Sequence, residues 1–370
     1  MKLGEMRRFR RDPYAYIEDL RLREPGVARL PWGGWCVSDP ELAQALLRAH
    51  EFNGDRSGFF GELLPSRSAQ VVVGRAVRDA VRERVGEYRA RLAVEVAALP
   101  ATTRWPATGT RLVHRCLADV LLHPADAPPE VRRLLADAVR GGVLLRAPRV
   151  WQRARAELLR GRLVAALTEL VARRRADRGQ RDVLDAVLAA APAELPDRAA
   201  AELYVLLFRS VVAPVGCSLA WSVLLACLHH PDGPWPWPAD WVVREALRHR
   251  PMAWMVGRTV PRPTEFGGIP FPAGEVLSVS PYLLHHDEHR WPEAAAFRPE
   301  RWGDGGARGP YLPFGAGPFT CAGASVAQLL VAEALTALGE HAHLSVTGGD
   351  TRPVMADGAV PRPFTLHRRP

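Results

Sequence analysis

The chain has 370 residues, 48% apolar and 24% charged, an ordinary globular composition that excludes wholesale disorder. Its formal charge of +9 rests on arginine, because Lys2 is the only lysine; this reflects a composition rich in Ala, Arg, Pro and Gly, yet still steers acidic protein partners or polyanions toward the surface. Five cysteines, Cys36, Cys116, Cys217, Cys227 and Cys321, form no C-x-x-C pair and leave an odd count, which argues against a disulfide framework or a structural zinc site and for a reducing compartment.

The N-terminal stretch MKLGEMRRFRR is basic and lacks the apolar run of a signal peptide, as expected of a cytoplasmic protein. Asp12-Pro13 then opens a short predicted helix, YAYIEDLRLR, that ends before Pro25. GVARLPWGGWCVSD alternates around Gly33-Gly34 and predicts a β-hairpin. Pro40 occupies a first helical position at the head of the amphipathic run PELAQALLRAH. From Ser66 to Leu99 the pattern is helical and studded with Arg75, Arg78, Arg82, Arg84, Arg89 and Arg91. Such a run is commonly a solvated face; the sharper reading is a docking surface.

Helical patterns fill most of 107–195, broken at HPADAPPE and near Ala147-Pro148. Asp197 is placed as the N-cap of a long helix over about 198–228. No charged side chain occurs from Val211 to Leu228, the lower edge of a membrane span. Pro214, Gly216, Cys217, Ser218 and Ser222 interrupt it, and a buried core helix accounts for it at least as well, so no membrane span is expected. HHPDGPWPWPAD breaks the chain, and WVVREALRHR forms a further helix up to Pro251. Short strands separated by Gly and Pro follow in EFGGIPFPAGEVLSVS, then an irregular stretch (285–312), a helix (322–339) and a polar, proline-rich β tail. The expectation is a mainly α fold with small antiparallel sheets, one domain over 1–370: a β-rich part to 65, a helical part over 66–260, and a loop and β tail over 261–370.

Residues 313–323 read PFGAGPFTCAG. A cysteine binds metal or attacks substrate only as the thiolate, which a helix N-terminus favours, and Cys321 stands just ahead of AGASVAQLLVAEALTAL. Gly315, Gly317 and Gly323 would let backbone lie flat against a large planar ligand, with Ala316 between and Phe314 covering its buried side. A dinucleotide fingerprint would need glycine at 320, which is Thr320. A Cys–His nucleophile would need a histidine that the sequence cannot place. A plain buried cysteine is the bland alternative, and the glycine pattern weighs against it.

FGAGPFTCAG resembles the haem-ligating loop of the cytochrome P450 family, F-x-x-G-x-R-x-C-x-G, with Phe314, Gly317, Cys321 and Gly323 in register. Phe319 stands where the family has Arg or His, so a salt bridge to a haem propionate must be lost or replaced. Upstream, Glu245 and Arg248 in REALR fit the family's E-x-x-R helix, two positions that share one helical face. FRPERW (297–302) resembles the family's meander, whose arginine, here Arg301, completes a buried Glu-Arg-Arg cluster. Arg258 in WMVGRTV matches a propionate-binding arginine, and Trp254 and Met255 fall where the family lines its substrate pocket. His285, His286 and His289 read as solvated loop residues rather than a metal cluster. The resemblance covers about 183–323. Toward the N-terminus it is diffuse, since no His or Trp stands four before an arginine in 66–91, so a second propionate ligand is not placed. HHPDGPWPWPADW is shorter than the family's connection, which implies a compact variant.

The resemblance implies haem b (iron protoporphyrin IX), Cys321 as its thiolate ligand, and a distal helix over the oxygen site. In the family that helix carries an acid–alcohol pair that relays protons. Here the corresponding residues are Val211, Val212, Ala213, Pro214, Val215 and Gly216, with neither acid nor alcohol. Pro214 costs roughly 3 kcal/mol inside a helix and denies the Ser210 carbonyl its donor; a kink there is expected to open a groove, or to be structural only. Three functions follow. The first is an oxygen-dependent monooxygenase of specialised metabolism with a non-standard proton relay. The second is a haem-thiolate enzyme using peroxide or one-electron coupling, and the third a catalytically degenerate haem-binding module. The expected partners are a small apolar or aromatic substrate, free or carrier-tethered, and an acidic ferredoxin-type donor docking on the 75–91 arginines. No nucleic-acid partner is expected.

Overall fold

A computed structural model describes residues 3–52, 58–64, 66–141, 144, 150–176, 179, 181–231, 234–303, 305, 309–340 and 342–369. The break expected at Ala147-Pro148 lies outside the described residues. The helices and strands follow in chain order as α1 (Leu3–Arg11), α2 (Pro13–Arg23), β1 (Val27–Arg29), β2 (Trp35–Val37), α3 (Pro40–Arg48), α4 (Arg67–Glu83), α5 (Val85–Ala97), β3 (Thr102–Trp105), α6 (Ala107–Leu121), α7 (Pro129–Arg140), α8 (Val150–Ala176) and α9 (Val183–Ala190). Then come α10 (Asp197–His229), α11 (Ala239–His249), β4 (Val256–Thr259), β5 (Thr264–Phe266), β6 (Ile269–Phe271), β7 (Val276–Val279), α12 (Pro281–His285), α13 (Ala324–Gly339), β8 (His343–Thr347), β9 (Pro353–Met355), β10 (Ala359–Pro361) and β11 (Phe364–Arg369). The chain is mainly α with small sheets, as its sequence predicts. It divides into two compact units, each gathered from separate sequence stretches.

The first unit holds residues 1–55, 236–321 and 349–362. Its helices begin where the chemistry dictates. The Asp12 carboxylate accepts the Ala15 N–H ahead of α2, and Asp39 accepts those of Glu41 and Leu42 ahead of α3, each followed by proline at the first helical position. The hairpin turns through Gly33 and Gly34, both at positive φ. A Cβ on Gly34 would lie 2.7 Å from the Val276 carbonyl oxygen, so the turn needs glycine twice over. The hairpin joins a sheet in the order β1-β2-β7-β4, and β2 runs parallel to β7 with Trp35 opposite Leu277. The antiparallel expectation therefore holds except at this pair, whose strands are joined through most of the chain rather than by a turn.

The second unit holds residues 56–235, 322–348 and 363–370. α10 is its axis and packs on α6, α8 and α13. It is long and apolar enough to cross a membrane, but 78% of its most apolar window is buried inside the protein. Asp197 is the first helical residue, not the cap; Pro196 holds that position and no side chain caps the end. The helix continues uninterrupted through Pro214. Where α6 crosses α10, a Cβ on Gly216 would stand 2.6 Å from Thr110 Cα, and one on Gly109 3.2 Å from the Gly216 carbonyl oxygen. The two backbones touch there, and only glycine permits it. β3 pairs with β11, and β11 with β8, into a three-stranded antiparallel sheet.

Gly216→Ala forces α6 and α10 apart and should cost about 1–3 kcal/mol of stability. Gly161→Ala, in α8 with nothing near the added methyl, should instead gain up to about 1 kcal/mol. Chemical denaturation of both variants checks the difference in sign.

Candidate active site

The E-x-x-R pair forms a closed network inside the first unit. Glu245 and Arg248 on α11 are both fully buried. Glu245 Oε1 accepts from Arg248 Nη2 at 2.8 Å, Arg301 Nε at 3.0 Å and the Arg298 N–H at 2.9 Å; Oε2 accepts from Arg248 Nε at 3.1 Å and Trp302 Nε1 at 3.0 Å. Arg248 spends its remaining N–H groups on the carbonyls of His285, Ala294 and Ala296. All five guanidinium donors are thus placed, which the three donors of a lysine could not match. Removing one member of such a buried cluster leaves an uncompensated charge and costs about 3–5 kcal/mol. Arg301 also donates to the carbonyls of Pro292 and Glu293. Glu293 has φ 53, a left-handed conformation uncommon for a residue with a side chain.

His285 carries this network to the cysteine loop. Its Nδ1–H donates to the Arg248 carbonyl at 3.0 Å, and its Nε2 accepts the Leu312 N–H at 2.8 Å. The ring is therefore neutral with the proton on Nδ1, and burial pushes its pKa down to about 3. The expectation that His285 and His286 are solvated does not hold: His285 is fully buried and His286 half-buried. His249 and His286 pack edge to face, and desolvation holds both well below the ordinary imidazole range. Sequence reasoning missed His285 and Trp302. The signal for His285 is its place at the end of the apolar turn PYLLH; for Trp302 it is adjacency to Arg301.

The loop itself folds back on α3. The Cys321 N–H donates to the Phe314 carbonyl at 3.0 Å, and both the N–H and Oγ1 of Thr320 donate to the Gly317 carbonyl. Gly317 has φ 71, and a Cβ there would come 2.1 Å from the Leu47 carbonyl oxygen. Its glycine is required by α3, whereas Gly315, also at φ 71, faces open space within 4 Å. Ala316 is buried beside Leu46 and Leu47. Gly323 is the N-cap of α13 with φ −87 and an ordinary backbone. Phe319, where the resemblance puts a cation, instead lies under one: Arg258, on β4, sets its guanidinium 5.3 Å from the Phe319 ring centre.

Cys321 is exposed, while Cys36, Cys116, Cys217 and Cys227 are buried. Burial pushes those four thiols up to about 12, so they remain protonated at neutral pH. Among the cysteines only Cys321 is presented for ligation. An accessible sulfur, an open left-handed glycine and a nearby arginine suit a planar, anionic, iron-bearing group, and the residues present fit haem.

Trp254 and Met255 pack with an aromatic cluster of the first unit, Trp254 lying 5.7 Å from Phe9 and 6.0 Å from Trp32 between ring centres. In the second unit, Val212, Ala213, Val215 and Gly216 are buried and Val211 and Pro214 half-buried along α10. The Ser210 hydroxyl donates to the Leu207 carbonyl at 2.8 Å.

Residues 239–363 match the cytochrome P450 family model. This span contains the buried Glu-Arg-Arg cluster and the cysteine loop. Over these residues the chain is similar to the cytochrome P450 family. Over 97% of its length it superposes on the structure of a zebrafish cytochrome P450 with progesterone, covering 99% of that chain with TM-score 0.78 at 19% identity. P450BioI, in complex with an acyl carrier protein ligated to hexadec-9Z-enoic acid, gives TM-score 0.74 at 17% identity, over 97% of this chain and 99% of that one. Cyclooctat-9-en-7-ol 5-monooxygenase of Streptomyces melanosporofaciens is 43% identical over 86 residues, 22% of this chain and 19% of the relative. The matched stretch is thus about a fifth of that curated relative's length. Members of the family bind haem.

Folding stability should fall as pH drops from about 6.5 toward 3. In that window the unfolded chain protonates His285 and the folded chain does not, so stability is present above the unfolded pKa and is lost on acidification. Each such histidine contributes a slope of up to about 1.4 kcal/mol per pH unit. Urea unfolding between pH 7.5 and 5, compared with His285→Gln, should show the variant with the shallower slope; equal slopes would contradict the assignment.

Proposed function

We propose that this chain is a cytochrome P450, a haem-thiolate, oxygen-dependent monooxygenase acting on a largely apolar small molecule or carrier-tethered intermediate of specialised metabolism, in the cytoplasm. The observation that carries the proposal is the single exposed cysteine on a loop tied to the buried Glu245 cluster through His285. Bound there, haem with a thiolate ligand supplies oxidative chemistry on dioxygen, since sulfur donation favours O–O cleavage.

The chain's own residues divide the remaining work. Cys321 is assigned as the proximal ligand and must ionise to serve. Arg258 supplies a cation for the carboxylates of the group, and its stacking on Phe319 compensates for the missing arginine at 319. Phe314, Gly315, Ala316, Gly317 and Gly323 are assigned to the cofactor loop, of which Gly315 alone is left-handed without a packing reason. Val211, Val212, Ala213, Pro214, Val215 and Gly216 are assigned to the oxygen-side segment and Trp254 and Met255 to the substrate side. That segment offers no titratable group, and the Ser210 hydroxyl is held by a backbone carbonyl. Its apolar side chains keep out bulk water, and the protons come from substrate or from a single ordered water. Electrons come from an acidic ferredoxin-type donor. Arg78, Arg84, Arg89 and Arg91 are paired with Asp79, Glu87, Glu333 and Glu95, which leaves Arg75 and Arg82 as the exposed cations of α4 for docking.

NAD(P)H-supported turnover with ferredoxin and its reductase, under labelled dioxygen and across a panel of apolar substrates, tests the reaction. Products carrying one labelled oxygen atom are expected. Peroxide-only turnover, or coupled products without inserted oxygen, would replace the reading with one-electron or peroxide chemistry.

A further inference from the structure

The start of α8 presents an apolar face that the other described residues of the second unit do not cover. Val150 is 79% exposed, Trp151 60% and Leu158 73%, whereas the buried residues of α8 are Ala156 and then a series from Leu163 onward. At 100° per residue, Val150, Ala154, Leu158 and Trp151 fall on one side, with Arg162 and Arg155 next along the same arc of about 140°. All six are exposed. Arg155 and Arg162 have no ion pair among the described residues, unlike Arg160, which binds Glu157 at 3.0 Å. The stripe thus runs Trp151, Arg155, Leu158, Arg162, with aromatic or aliphatic residues alternating with unneutralised cations. A solvated face would not keep a tryptophan and a leucine this exposed side by side.

We propose that this face of α8 docks an acidic carrier protein delivering a covalently tethered apolar substrate. The inference rests on the monooxygenase reading and names the partner for it. Arg155 and Arg162 complement acidic side chains and steer the encounter, and Trp151 and Leu158 supply the desolvated centre that gives an interface its affinity. The apolar strip, Val150 to Leu158, is about two turns long with only three large apolar residues, too little for the broad buried face of a membrane-surface helix. P450BioI, which shares this fold, forms a complex with an acyl-ligated carrier protein.

The test uses the full-length protein and, as probe, acyl carrier protein ligated to hexadec-9Z-enoic acid, with binding followed by biolayer interferometry at low and high salt. Wild-type binding should weaken as salt rises. Trp151→Ala/Leu158→Ala and Arg155→Glu/Arg162→Glu should each weaken it by about tenfold or more. Because all four positions are exposed, the variants should keep the wild-type melting temperature. Wild-type affinity in both variants, no binding at all, or binding to phosphatidylglycerol vesicles in place of the carrier would overturn the proposal. Failure of the haem reading shows separately, as loss of the visible spectrum with carrier binding intact.

Discussion

Glu245 is the group on which the first unit depends. A carboxylate with no solvent exposure survives only if its lone pairs are filled and its charge matched. Arg248, Arg301, Trp302 and the Arg298 backbone do both. Because Arg248 also reaches the carbonyls of His285, Ala294 and Ala296, the same charge organises the chain from α12 through the turn before Phe297. Desolvation offsets much of the Coulomb attraction, so the network is better understood as fixing one arrangement than as adding net stability.

Through His285 that arrangement is handed to the cysteine loop. The imidazole is a two-sided pin, donating to α11 and accepting from Leu312, and it can do both only while neutral. Beyond Leu312 the loop is gripped by α3 at Gly317 and by Arg258 at Phe319. These contacts restrict the loop, as a ligand of fixed geometry requires. The other cysteines are withdrawn into apolar surroundings that keep them protonated. Burial thus sets Cys321 apart from the other cysteines as much as the loop sequence does.

Much of this was legible in the chain. The resemblance of REALR to the family's E-x-x-R helix singled out Glu245 and Arg248, which the spacing puts on one helical face, and the helices after Asp12 and Asp39 announced themselves through caps and prolines. Other parts were hidden for physical reasons. β3 and the parallel β2–β7 pair depend on partners far away in sequence, and no local pattern encodes them. Asp197 looked like a cap, but Pro196 holds the extended backbone that precedes α10. The glycines of the loop read alike, yet Gly317 answers to a neighbouring carbonyl and Gly315 to none. His285 looked like one of a solvated cluster because burial of a polar ring is invisible until its two partners are known.

The central claim is that Cys321, and no other thiol, holds a haem iron. The visible spectrum of the reduced, carbon monoxide-treated protein tests it most directly. The wild-type chain and a Cys227→Ser control should both show the red-shifted absorption of thiolate-ligated haem, and Cys321→Ser should lose it. An unchanged band in Cys321→Ser, or a folded wild-type protein that stays colourless and takes up no added hemin, would contradict the account.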